Sequence, residues 1–197
     1  MPRRTQHDRS ASTKAALITA GRALFAERGY AGVPADDIVK AAGVTRGALY
    51  HHFGDKLGLF RAVYDELGNE IDAELRPVLS GDVATAMLAG LATFLDICDR
   101  AEVRQLVLID APAVFGYRQW RAIEAEYGLG MITELILRGI EEKAVVPQRV
   151  DVLAQLVFAA SIEAALIIAN AEDPAATRVA VEGSLAVLFA GLLLPPS

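Results

Sequence analysis

Residues 38–53 read IVKAAGVTRGALYHHF. Five apolar residues of this stretch are spaced to face inward from two short helices: Ile38, Ala42, Val44, Leu49 and Phe53. Gly43 permits a tight turn between the two helices because it has no Cβ. The free face carries donors, acceptors and small residues suited to a DNA major groove: Thr45, Arg46, Gly47, Ala48, Tyr50, His51 and His52. The stretch therefore predicts a helix-turn-helix with Thr45–Phe53 as recognition helix.

The flanking sequence predicts helices almost throughout, and no run alternates in the manner of a strand. Residues 15–28 predict a first helix that stops at Gly29. Pro34 suits the first turn of a second helix, which ends at Gly43, and Asp55 can cap a long helix that reaches Arg76. About five further helices are expected, with breaks at Pro112, Gly116, Pro147 and Pro174. The expected fold is all-α.

The motif resembles the N-terminal pattern of the TetR (tetracycline-repressor) family. The matching residues are Ala42-Gly43-Val44-Thr45, then Leu49-Tyr50-His51-His52-Phe53, then Lys56, with Phe25 and Gly29-Tyr30 at the end of the first helix. The resemblance covers about residues 13–64, roughly a third of the chain. It implies a dimer that binds double-stranded DNA at a palindromic operator and is released by a small molecule.

The resemblance also implies a division of labour on the DNA face. Thr45, Tyr50, His52 and Lys56 would contact phosphates, while Arg46, Gly47, Ala48 and His51 would lie nearest the base edges. Arg46 is the best candidate for guanine readout because its fork can bond O6 and N7 together. Three residues depart from the family pattern: Gly21, Val39 and Pro34. Pro34 stands where a Thr or Ser usually contacts phosphate, which puts that contact in question.

The charge distribution favours this interpretation although the chain has a net charge of −6. Residues 1–61 hold ten Lys/Arg against five Asp/Glu, a net +5, and the remainder holds nine against twenty, a net −11. A basic head can approach phosphates while an acidic body is repelled. We therefore expect a flexible arm over residues 1–12, a three-helix DNA-binding head over 13–60, and a larger effector-binding and dimerisation body over 61–197.

The body offers candidates for a ligand pocket but no diagnostic motif. Aromatic and polar residues mix at Phe94, Cys98, Phe115, Tyr117, Trp120, Arg121, Tyr127 and Met131. Asp110 stands inside an apolar run, where a buried carboxylate needs a partner. That partner is either a ligand or an internal arginine, Arg104 or Arg121. The identity of the effector does not follow from these residues.

The last two helices, about residues 150–171 and 174–193, are apolar on more than one face. A helix without a wet face must be covered on all sides. In the resembling family this pair forms the dimer interface, so a homodimer is expected, with Leu185 and Phe189 among the residues at the interface. Glu163 and Glu182 and the short length argue against membrane spans.

Other function classes have weaker support. Cys98 is the single cysteine, so there is no internal disulfide, and a cytoplasmic protein is expected. An enzyme using Cys98 or His51 lacks a catalytic grouping, and a redox sensor based on Cys98 remains an alternative. Zinc is a poor rival because adjacent helical histidines project about 100° apart with no further ligand nearby. No cofactor is expected, and activation remains an alternative to repression.

Overall fold

The computed structural model describes residues 6–194, and helices dominate this range. The first four are α1 (Gln6–Arg28), α2 (Ala35–Ala41), α3 (Arg46–Phe53) and α4 (Lys56–Val78). Next come α5 (Val83–Asp99), α6 (Ala101–Val103), α7 (Ala111–Phe115), α8 (Tyr117–Glu124), α9 (Gly130–Glu141), α10 (Val150–Ala169) and α11 (Pro174–Ala190). One antiparallel bridge joins Val145 and Leu193. The expected all-α fold is confirmed.

The start of the first helix differs from the sequence expectation, whereas its end agrees. The α1 helix begins at Gln6, so residues 6–12 of the expected arm are helical, while residues 1–5 lie outside the described range. The expected stop at Gly29 is present, with φ +69°. Apolar spacing missed the first turns because residues 9–12 are all exposed, and an exposed turn carries no burial pattern.

Two π turns change the expected helix breaks in the body. Residues Arg104–Asp110 form a π turn between α6 and α7, and Ala125–Leu129 form another between α8 and α9. The chain therefore stays helical through Pro112, where a break was expected. The widened turn before Pro112 accommodates a residue that has no backbone N–H to donate.

The chain divides into two compact units whose boundary also departs from the expectation. Unit 1 comprises residues up to Gly68 together with Ala101–Gly116, and unit 2 comprises Asn69–Arg100 and residues from Tyr117 onward. The sequence expectation placed the boundary after residue 60 and assigned all later residues to the body. Sixteen residues that the sequence assigned to the body, Ala101–Gly116, thus lie in unit 1 with the N-terminal helices.

Each unit has its own buried core. In unit 1, fully buried apolar side chains come from all four N-terminal helices and from the 101–116 segment: Leu17, Phe25, Ile38, Leu49, Phe60 and Leu106. In unit 2, α10 packs against α5, α9 and α11. Among the described helices, α10 alone is long and apolar enough to cross a membrane, a test that core helices of soluble proteins also pass.

Candidate nucleic-acid interface

The turn between α2 and α3 is built as the sequence predicts. Gly43 has φ +66°, and the amide of Val44 donates to the carbonyl of Val39 at 3.0 Å. Thr45 then occupies the N-cap position of α3 in an extended conformation. The Thr45 hydroxyl accepts no hydrogen bond from the first turn of α3. The backbone rather than the Thr45 side chain sets the start of α3.

Burial divides α3 into an inner and an outer face. Leu49 is completely buried, and Val44 and Phe53 beside it are half-buried. The outer face presents five exposed residues, which are Thr45, Arg46, Gly47, Tyr50 and His51. Ala48 and His52 on the same face are half-buried. The structure therefore brings seven of the eight residues expected to contact DNA onto one short helix and its cap.

Arg46 contacts two neighbouring side chains at the protein surface, those of Tyr50 and Asp36. Its Nη2 donates to the Tyr50 hydroxyl at 3.3 Å, and its Nη1 lies 3.3 Å from Oδ1 of Asp36 on α2. The hydrogen bond to Tyr50 and the charge of Asp36 raise the pKa of the guanidinium above its ordinary value. The guanidinium is also exposed, so a base edge can compete for it.

The two adjacent histidines, His51 and His52, lie side by side near the end of α3. Their ring centroids are 5.2 Å apart with the planes steeply inclined. No group of three or more metal-binding side chains occurs among the described residues.

Lys56, the eighth expected DNA contact, is placed differently from the others. Its Nζ donates to the backbone carbonyls of Tyr30 at 2.9 Å and Val33 at 3.0 Å. The ammonium also lies 4.0 Å from the centroid of the Tyr30 ring. Burial lowers the pKa of this ammonium. An ammonium has three N–H donors, and two of them are already used within unit 1.

Two residues expected in a ligand pocket instead pack within unit 1. The buried carboxylate of Asp110 accepts from the Tyr30 amide at 2.8 Å and from Gln105 Nε2 at 3.1 Å. Phe115 lies against the rings of Phe60 and Tyr64, with centroids 5.4 and 5.8 Å away. The sequence showed that Asp110 needed a partner, but it pointed to Arg104, Arg121 or a ligand rather than to a backbone amide 80 residues away.

The remaining ligand candidates lie in unit 2. Three of them are buried: Cys98, Trp120 and Met131. Another three are half-buried, which are Phe94, Arg121 and Tyr127, and Tyr117 is exposed. The indole N–H of Trp120 is buried and has no hydrogen-bond acceptor among the described residues. Arg121 lies over the Phe158 ring at 5.1 Å and 3.8 Å from a carboxylate oxygen of Glu124.

Sequence reasoning missed two features of unit 2. Glu124 is a buried carboxylate, and only its spacing of four residues from Trp120 hinted that both share one helix face. A cavity of about 310 Å3 is lined by Met131, which the sequence proposed as a ligand contact, and by six residues that it did not propose. These six are Arg76, Leu79, Ser80, Glu134, Leu135 and Arg138. No motif marks this second set in the sequence, because its members come from the end of α4, the turn that follows it, and α9.

The last two helices expose several large apolar side chains. The exposed fraction is 75% at Val187, 72% at Val179 and 64% at Leu188 on α11, and 63% at Leu156 on α10. In contrast, Leu185 and Phe189 are buried within their own chain. The expectation that these two residues face a partner is wrong, because they point into the core of unit 2.

Comparison with known proteins gives matches along nearly the whole chain. Residues 17–63 match the family model of bacterial regulatory proteins, tetR family, and residues 84–192 match the tetracyclin repressor-like C-terminal domain. The TetC protein of transposon Tn10 from Escherichia coli is 26% identical over 190 residues, which cover 96% of this chain and 94% of that protein.

Two further relatives support the match. The transcriptional regulator CymR of Pseudomonas putida is 40% identical over 97 residues, about half of each chain (47% of this one and 48% of CymR). A crystal structure of a TetR-family transcriptional regulator from Pectobacterium atrosepticum is 33% identical, with a TM-score of 0.85 over 98% of this chain and all of that one.

Proposed function

This chain belongs to the TetR family of transcriptional regulators, and we propose that it is a homodimeric repressor that leaves a palindromic operator when a small molecule binds. It is a regulator of the helix-turn-helix type, as its relatives are. The observation that carries the proposal is the outer face of α3, where hydrogen-bonding side chains and small residues are exposed above a buried Leu49.

The proposed contacts with DNA follow the chemistry of this face. Thr45, Tyr50 and His52 donate to phosphates, and Arg46 reads a base edge with His51 beside it. Gly47 and Ala48 allow α3 to approach the groove floor closely. Pro34, at the N-cap of α2, has no side-chain donor for phosphate.

The exposed apolar residues of α10 and α11 support dimer formation. Side chains such as Val187 and Leu188 would form part of an apolar patch that monomeric proteins seldom leave in water. Pairing the same surfaces around a two-fold axis covers them, and the same axis presents two α3 helices to successive half-sites.

Unit 2 supplies the proposed effector site. A ligand with a hydrogen-bond acceptor would satisfy the buried Trp120 N–H, and the Tyr117 ring lies 6.1 Å from the Trp120 ring. The other proposed ligand contacts belong to the same unit: Phe94, Cys98, Arg121, Tyr127 and Met131. The cavity beside Met131 also has a volume in the range of small-molecule sites. Asp110 and Phe115 are left out of the proposed site.

Release from DNA would follow from a change in the chain segments shared by the two units. The α4 helix crosses the boundary at Gly68 and Asn69, so a ligand that shifts the unit 2 part of α4 changes the spacing of the two recognition helices. Expression of a reporter gene from the protein's own operator, with and without the protein, separates activation from repression. The protein would act in the cytoplasm, where its DNA is.

The phosphate assignment is tested with Tyr50→Phe. We expect weaker binding to all duplexes alike, with little change in the slope of log affinity against log salt, because the phenol is neutral and its hydrogen bond displaces no counterion. Fluorescence anisotropy with labelled duplexes between about 50 and 200 mM salt measures both quantities. Val146→Thr, which changes an exposed side chain outside α10 and α11, is the control. A wild-type affinity that does not respond to salt would contradict the assignment.

A further inference from the structure

Lys56 and Asp110 contact the same residue, Tyr30, one at its carbonyl and the other at its amide. Lys56 Nζ donates to the Tyr30 carbonyl, and Asp110 Oδ2 accepts from the Tyr30 amide, at 2.9 and 2.8 Å. The ammonium also lies against the Tyr30 ring. We call these three residues the Tyr30 clamp.

The clamp lies where the chain enters and leaves the helix-turn-helix. The chain enters α2 through Val33 and Pro34 and leaves α3 through Gly54. Lys56 is the first residue of α4, and its second hydrogen bond, to the Val33 carbonyl, joins these two points directly. One side chain thus ties the start of α2 to the end of α3.

The other half of the clamp comes from the 101–116 segment. Gln105 holds the second oxygen of the Asp110 carboxylate, and Arg22 on α1 makes two hydrogen bonds to Glu102, at 2.6 and 2.9 Å. Gly29 allows the close approach, because a Cβ at this position would lie 3.1 Å from Gln105 Nε2. The segment is therefore fixed to α1 and to the turn that follows it.

We propose that Lys56 and Asp110 are positioning residues for operator binding, which orient the recognition helix by holding Tyr30 between them. This inference rests on the proposed DNA-binding function. It assigns Lys56 a role other than the phosphate contact expected from the family pattern, and it makes a segment from beyond residue 100 part of the working DNA-binding unit.

The two explanations of Lys56 differ in what they predict for Asp110. If the head attracted DNA by charge alone, loss of the Asp110 carboxylate would strengthen binding, since one negative charge is removed near phosphates. If the clamp orients α3, the same loss weakens binding to the operator, because the Tyr30 amide loses its acceptor and the turn loosens.

The test uses two duplexes and the full-length protein. One duplex is the sequence that the wild-type protein selects from a randomised pool, and the other is a scrambled version with the same composition. We expect Asp110→Ala and Lys56→Met each to weaken binding to the selected duplex by roughly ten- to a hundredfold. Binding to the scrambled duplex, which depends on phosphates, should change by less than about threefold.

Three further variants separate positioning from general damage. Lys14→Met removes one charge from an exposed lysine of α1 and should affect both duplexes equally and weakly. Asp110→Asn keeps the volume and one acceptor oxygen, so it should recover most of the affinity lost in Asp110→Ala. The double variant should be little worse than either single variant, because both remove the same clamp. Thermal unfolding identifies any variant that does not fold, and Asp110→Asn keeps the test valid in that case.

Several results would overturn the inference. Lys56→Met that weakens both duplexes equally and lowers the salt slope by about 0.9 would make Lys56 a phosphate contact. Asp110→Ala with unchanged or tighter operator binding would remove Asp110 from the account while leaving the DNA-binding function intact. A wild-type protein that selects no sequence at all would contradict the function itself and the inference with it.

Discussion

At the scale of single residues, Arg46 forms an ion pair with Asp36 in the protein without DNA. The two side chains are 60% and 68% exposed, and such surface pairs are weak, so operator DNA can replace Asp36 as the partner. Asp36→Asn removes this competitor, and we expect the selected duplex to bind about two- to fivefold more tightly. Titration by fluorescence anisotropy measures the change.

The neighbouring Asp37 provides a matched control for that prediction. Asp37→Asn removes the same charge from the same helix, but its partner is Arg28. Its effect on operator affinity should therefore be smaller than that of Asp36→Asn. Equal gains from the two variants would show that net charge, and not the release of Arg46, controls affinity.

Cys98 tests the redox and enzyme alternatives. Burial and the nearby charge of Glu124 raise the pKa of its thiol from 9.0 to about 12, so the reactive thiolate is scarce at neutral pH. We expect a disulfide reagent to modify the native protein slowly and the urea-unfolded protein at once. Fast modification of one thiol in the folded protein would revive the redox-sensor interpretation.

The same pKa shift sets a pH dependence of stability. Between about pH 9 and pH 12 the unfolded thiol has lost its proton while the native thiol retains it, so the native state binds more protons. The contribution of Cys98 to the free energy of unfolding therefore falls as pH rises through this window. Urea unfolding of wild type and Cys98→Ala at several pH values measures the difference.

At the scale of secondary-structure elements, glycine positions predicted helix ends better than apolar spacing predicted helix starts. Gly29 and Gly43 both have positive φ, which glycine adopts freely, and each follows a helix end. The start of α1 and the two π turns gave no comparable signal. Spacing of apolar residues reports burial, and an exposed first turn or a locally widened helix leaves that spacing almost unchanged.

The exposed face of α11 leads to a corrected prediction about the dimer. Leu188→Glu places a charge on a side chain that is 64% exposed within one chain, so folding of the monomer should be preserved. We expect the mass in solution to fall from about twice 21 kDa to about 21 kDa at micromolar concentration, with operator affinity reduced by roughly a hundredfold. Light scattering measures the mass.

Leu137→Glu is the control for this variant because Leu137, on α9, is also a half-exposed leucine of unit 2. It should leave the mass unchanged. Substitution of the buried Leu185 would not discriminate, since it damages the core of unit 2 as well. A wild-type mass of one chain would contradict the dimer before any variant is made.

At the scale of the whole molecule, the sequence predicted which residues share the outer face of α3 but not which segments pack with that helix. The motif around Gly43 is local, and the structure presents its polar residues on one face as expected. The membership of Ala101–Gly116 in unit 1 depends on contacts between residues about 80 positions apart, such as Arg22 with Glu102. Periodicity and motif spacing carry no information on pairs so distant.

The charge asymmetry also belongs to this scale. The net +5 of residues 1–61 and the net −11 of the remainder favour an approach with the head toward DNA. Two heads related by a two-fold axis would require a site with two inverted half-sites.

Selection of duplexes from a randomised pool by the wild-type protein tests whether a two-fold dimer binds two inverted half-sites. We expect enrichment of one palindromic sequence, with half-site centres about one helical turn or a multiple of it apart. Arg46→Ala should relax the preference at one base pair in each half-site. Enrichment of no sequence, or of a single half-site without an inverted copy, would contradict the binding of a dimer to a palindromic operator.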